Sequence, residues 1–161
     1  MRILRPLILC LFAVSGFAQN ATRIDGRQHP ELIPDTAAYR AVFLMHSHSA
    51  TPQEIARSEQ FHARIALSRI DHYAYEQALA TFRQHFDGLV AAHNAFVDAS
   101  ASVSIDDMKQ EGAAFKQSLS ALVQQTRNQL ASVMTNDGLA KLDAFVQSEK
   151  AHMTVGVRSQ Q

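Results

Sequence analysis

The chain has 161 residues, with fifteen Lys and Arg balancing fifteen Asp and Glu, so its eight histidines are the only reserve of charge near neutral pH. That balance gives nucleic acid or an anionic membrane surface no reason to bind, and the length suits one domain with a real core. The single cysteine, Cys10, lies near the start, which leaves the remainder without a thiol for a disulfide or a sulfur metal ligand.

Met1 to Ala18 reads as a secretory signal. Arg2 and Arg5 supply the positive start, Leu7 to Phe17 the apolar run, and Gly16 and Ala18 the small residues before cleavage. The apolar run, about eleven residues, is far short of the ~20 that a membrane span needs, and no other segment approaches that length. The mature chain is then expected to begin at Gln19, to carry a charge near minus two, and to work in the periplasm or outside the cell. All eight histidines survive that cleavage, so acidification below about pH 6 would carry the charge to the positive side.

Residues 19–34 carry Gly26, Pro30 and Pro34 and no apolar period, which predicts an extended strap. Asn20-Ala21-Thr22 fits a glycosylation sequon. Asp35 is placed to cap a first helix whose apolar face includes Tyr39, Val42, Phe43 and His46. Thr51-Pro52-Gln53-Glu54 marks the start of a second, short helix, combining a capping threonine, proline at the first helical position and a returning glutamate. Ser68 and Asp71 repeat the capping pattern and open the longest helix.

That helix organises the chain. Tyr75, Leu79, Phe82, Phe86, Leu89, His93 and Phe96 recur at steps of four and three, the seam of a helix packed lengthwise on others. After a small polar stretch, Ser104 to Asp107 caps a second long helix with a seam of Ile105, Met108, Gly112, Phe115, Leu119, Leu122, Thr126, Leu130 and Val133. Two long helices joined by a short loop must lie antiparallel. Thr135 or Asn136 opens a last helix with Leu139, Leu142, Phe145, Val146 and Met153 on its buried side. The expected fold is therefore all-α, a bundle built on a long antiparallel helix hairpin with about three shorter helices over residues 35–157. A polar tail of 158–161 follows it.

The segment His29-Pro30-Glu31-Leu32-Ile33-Pro34-Asp35 resembles the opening of a group of small secreted bacterial helical proteins. The likeness extends to residues 67–71 and 138–146, implies export and a helical fold, and brings no activity with it. Met134-Thr135-Asn136-Asp137-Gly138 is similar in placement to the Leu-Thr-x-x-Gln motif of Spy-like periplasmic chaperones, with methionine in the leucine's place and glycine in the glutamine's. That resemblance implies a stress-adaptor role in the cell envelope.

Chemistry, where the sequence offers any, lies in histidine and carboxylate. Glu59 with His62, and Glu149 with His152, each form a Glu-x-x-His pair, the spacing that di-metal carboxylate bundles use twice. Glu76 and Glu111 are the helical candidates for the single carboxylates such a site also needs. His46 and His48 could chelate a divalent metal with His62 or His72, since neutral imidazole suits zinc, copper or nickel. His93 falls in the seam and reads as a core histidine; buried and neutral, it would loosen the fold in mild acid. A divalent metal is the only cofactor these residues leave open. No nucleophile elbow, phosphate loop or His-Glu-x-x-His occurs, which argues against an enzyme. The leading expectation is an exported helical binding or stress-adaptor protein whose partner is another protein or a peptide. The alternative is a histidine-based metal-binding protein, extending to a di-metal enzyme.

Overall fold

The computed structural model describes residues 21–46, 52–99 and 103–158. Strand β1 (Ala21–Asp25) and a 3-10 turn at Pro30–Leu32 lead into helices α1 (Asp35–His46) and α2 (Pro52–Ile65). The long helices α3 (Arg69–Asp98) and α4 (Ile105–Val133) follow, then α5 (Asn136–Glu149), a 3-10 turn at Lys150–His152 and strand β2 (Thr154–Arg158). The fold is an all-α bundle: α3 and α4 form the expected hairpin, and three shorter helices pack on it. The signal segment, Asn20, Thr51, His48 and residues 159–161 lie outside the described residues.

Serine and threonine caps set the helix boundaries. Ser68 Oγ accepts from the Asp71 N–H at 3.1 Å, Ser104 Oγ from Asp107 at 3.1 Å and Thr135 Oγ1 from Gly138 at 3.0 Å. Each satisfies one of the orphan donors at a helix start. Asp35 behaves differently from the cap expected of it. It is the first residue of α1, and its carboxylate takes Lys150 Nζ at 2.6 Å and Gln147 Nε2 at 3.0 Å. Those two donors, Lys150 first, hold the Asp35 carboxyl below its ordinary range. An ion pair with a buried lysine satisfies more charge than a cap would, so the tertiary partner wins.

The chain ends meet in a way the sequence did not announce. β1 pairs antiparallel with β2, Ile24 opposite Val155, so the strap and what reads as helix end and polar tail form a two-stranded sheet. Met153 accordingly lies beyond α5, partly buried against the core. Gly26 allows this closure, because a Cβ there would sit 1.8 Å from the Lys150 carbonyl oxygen, while its N–H bonds to Met153 O at 2.8 Å.

Rings dominate the core. Tyr39, Phe43, Phe82 and Phe86 form a continuous series with centroids 5.3–6.0 Å apart, and Phe61 packs on Tyr75 at 5.5 Å and Phe145 at 4.9 Å. Tilted, edge-on and stacked contacts of this kind add about 0.5–1.5 kcal/mol each beyond area burial. The seams are buried over only half their length. Every buried residue of α3 lies at or before Phe82 and every one of α4 at or after Leu119, where α1 and α5 pack on the hairpin. Toward the far end Ile105 is 75% exposed and Met108 40%, and Val133 at the other end of α4 is 50% exposed, so these seam positions are not core. Val123, which the pattern omitted, is fully buried.

At the start of α3 the Asp71 side chain is only 1% exposed and accepts from Thr135 N at 2.7 Å, Thr135 Oγ1 at 2.9 Å and Ser68 Oγ at 2.6 Å. The Ser68 hydroxyl, then the two Thr135 donors, keep this carboxyl below the usual range against the opposing effect of burial. Gly138, in the first turn of α5, lets the carboxylate in, since a Cβ there would lie 2.3 Å from Asp71 Cγ.

Two stability outcomes follow from this packing. Phe82→Ala should cost about 3–5 kcal/mol in urea unfolding, whereas Ile105→Ala should stay within about 0.5 kcal/mol. Gly138→Ala should destabilise by roughly 1–3 kcal/mol, although alanine is the better helix former by about 1 kcal/mol, because the methyl displaces Asp71. In an Asp71→Ala background that penalty should vanish.

Candidate metal centre

The turn between α2 and α3 brings the chemistry together. Ala66 adopts the left-handed conformation with φ 53°, and its N–H closes the end of α2 on the His62 carbonyl at 3.0 Å. Ser68 then caps α3, so only Ala66–Ser68 separate the two helices and the last turn of α2 meets the first turns of α3. His72 and Glu76 stand four apart on α3 and share one face. With Asp71 and Tyr75 turned inward and buried, that face meets the end of α2.

The result is a compact donor set. His62 Nε2 lies 2.8 Å from Glu76 Oε1, His72 Nε2 lies 3.9 Å from the same oxygen, and the two imidazoles stack with centroids 3.8 Å apart. One ligand atom from each residue falls within 4.8 Å of the others, and among the described residues this is the only such group. Ligands on a tetrahedral zinc, bonded at 2.0–2.2 Å, stand roughly 3.3 Å apart, so the observed spacings bracket the requirement. The His62 hydrogen bond holds the Glu76 carboxyl below its ordinary range, with burial opposing. A carboxylate kept ionised between imidazoles is the correct charge state for a ligand.

His46 stands beside this set. Its ring stacks on Phe61 at 3.4 Å, and its Nδ1 donates to the Val42 carbonyl at 2.7 Å. Burial pushes its pKa down to about 4, and His62 adds to that effect, while the Val42 bond, Glu149 and Glu76 oppose it.

Of the residues the sequence put forward, His62, His72 and Glu76 form the cluster and His46 adjoins it, His48 lies outside the described residues, and Glu59, Glu111, Glu149 and His152 are not part of it. Glu59, one turn before His62, is exposed. Glu149 is held by Arg64 of α2 at 2.9 Å, and His152 is exposed in the 3-10 turn beyond α5. Glu111 faces His93 at 3.4 Å, far along the hairpin. The two Glu-x-x-His pairs therefore do not face one layer, because a shared helical face sets the pairing within one helix and leaves open which neighbour it meets. His93 is 31% exposed and lies against Phe115, so it is not the buried histidine the seam suggested. The sequence offered His72 as a partner for His46 and His48, and Glu76 separately as a single carboxylate; the signal that joins them is the His-x-x-x-Glu spacing of residues 72 and 76.

No family model, curated protein or solved structure matches the chain. No helix among the described residues is long and apolar enough to cross a membrane.

The His46 shift has a definite sign. As pH falls the unfolded chain takes up this proton near 6.5 and the folded ring only near 4. His46 thus contributes stability above pH 6.5 that is lost progressively toward pH 4. For metal-free protein, urea unfolding at pH 7.5 and 5.5 should show a loss that shrinks in His46→Gln. The His46 part should be below the limiting 1.36 kcal/mol per pH unit because the ring is partly solvated.

Proposed function

We propose that this chain is an exported helical protein that binds one divalent transition-metal ion, of the zinc, copper or nickel class, where α2 meets α3. The observation that carries the reading is the convergence of His62, His72 and Glu76 within 4.8 Å. Two imidazoles and one carboxylate suit these metals, whereas calcium and magnesium require oxygen donors throughout. A single ion is favoured over a pair, because the carboxylates a second would need are otherwise engaged: Glu149 with Arg64 and Glu111 with His93. An ion held from both helices would clip α2 onto α3, in a site distinct from the aromatic contacts of Phe61 beneath it.

Binding of this kind is linked to folding, and free ion at 100 times its Kd stabilises by about 2.7 kcal/mol. Tag-free protein stripped with chelator should gain stability on titration with zinc. His62→Gln and Glu76→Gln should abolish the gain, and Glu59→Gln and His152→Gln should keep it. An unchanged unfolding midpoint for the natural chain would remove the reading.

A second reading, an adaptor that binds another protein or a peptide in the envelope, is favoured by the exposure of Ile105 and Met108 at the far end of the hairpin.

A further inference from the structure

We infer that His46 is the fourth ligand of that ion, so that the closed site is a three-imidazole, one-carboxylate set drawn from α1, α2 and α3. The inference rests on the metal-binding reading and deepens it by fixing the coordination.

Three observations support it. A carbonyl can only accept, so the 2.7 Å bond from His46 to Val42 O places the ring proton on Nδ1 and leaves Nε2 with the lone pair. Metal-binding histidines characteristically donate their other ring N–H to a carbonyl or carboxylate, which fixes tautomer and orientation. The ring is also seated, not free, stacked on Phe61 at 3.4 Å, and Phe61 is the residue immediately before His62. Finally, His46 and Glu76 line the same groove, of about 410 Å³.

His46 Nε2 lies outside the 4.8 Å circle of the other three donors. Loading therefore requires the half-exposed His72 and Glu76 side chains to close toward His46, which keeps its Val42 bond and its seat on Phe61. The consequence for chemistry is specific. Three ligands leave a position for water, as in catalytic sites, whereas four protein ligands close a tetrahedral site of the structural kind. With His46 bound, the ion would join three helices and favour tetrahedral zinc or cobalt over tetragonal copper(II).

Cobalt(II) alone, added to the chelator-stripped full chain, reports this directly, since four-coordinate cobalt absorbs visible light far more strongly than five- or six-coordinate cobalt. The natural chain should give the intense spectrum. His46→Gln, with water in the fourth position, should give shifted bands, with affinity lowered at least about tenfold, and His62→Gln should abolish binding. His46→Phe retains a ring against Phe61 but has no nitrogen, so it serves where the glutamine variant fails to fold and should match it spectroscopically. Free imidazole added to His46→Gly should restore the natural bands. If both His46 variants keep the natural spectrum and affinity while His62→Gln loses binding, the fourth-ligand assignment is overturned and the three-donor site stands. A weak spectrum from the natural chain likewise overturns the assignment, and no cobalt binding at all overturns both.

Discussion

A single buried carboxylate governs the geometry of this molecule. Asp71 sits where the N-terminal ends of α3 and α5 come together, and each of its oxygens is satisfied by a donor from Ser68 or Thr135. Burial opposes the charge, yet the hydrogen bonds and the positive ends of two helices favour it, which is why the group remains ionised in the interior. The arrangement is demanding. It needs glycine at position 138 for clearance, threonine at 135 both to donate to the carboxylate and to cap α5, and serine at 68 to do the same for α3. In return it fixes the rotation of α3 about its axis, and with it the direction of the next two residues that matter, His72 and Glu76.

The same logic recurs at the other tie points. Asp35 engages Lys150 and Gln147, Tyr39 donates to Asp143 while Arg127 covers its ring, and Arg64 reaches Glu149. Each pair joins helices distant in sequence, so polar contacts set the register between elements that the rings alone would hold less specifically. Apolar packing supplies the attraction, and the part-buried polar contacts of Asp35 with Lys150 and Tyr39 with Asp143 select one arrangement. Beyond Phe82 and before Leu119 such ties thin out, and the hairpin runs on as two helices with half-buried apolar residues.

The candidate metal centre depends on both features. Left-handed Ala66 ends α2 and Ser68 restarts the chain immediately, so His62 is delivered to α3 by a turn too short to place it anywhere else. Phe61, its neighbour, is clamped among Tyr75, Phe145 and the His46 ring. The donors therefore stand on well-packed supports, which is what a site needs if little side-chain freedom is to be lost when it is occupied.

The sequence by itself determined the helices and the caps at Ser68, Ser104 and Thr135, because those are local: a serine or threonine hydroxyl reaches a backbone N–H three residues on, and a repeat of three and four leaves one apolar face. It also determined the antiparallel hairpin, since a short connection allows nothing else. Tertiary structure decided everything that depends on which faces meet. Ile105 and Phe82 occupy equivalent seam positions, and only the presence of α1 beside one of them makes it core. In β2 only Val155 and Val157 alternate with Thr154, Gly156 and Arg158, too short a run to announce a strand whose partner β1 lies almost the whole chain away and whose pairing closes at Gly26. At the candidate site the sequence offered His62 with Glu59 on grounds of spacing, and the fold gave it His72 and Glu76 instead. Spacing along one helix fixes which side chains share a face; the partner across the interface is chosen by the turn at Ala66 and the rotation that Asp71 imposes on α3.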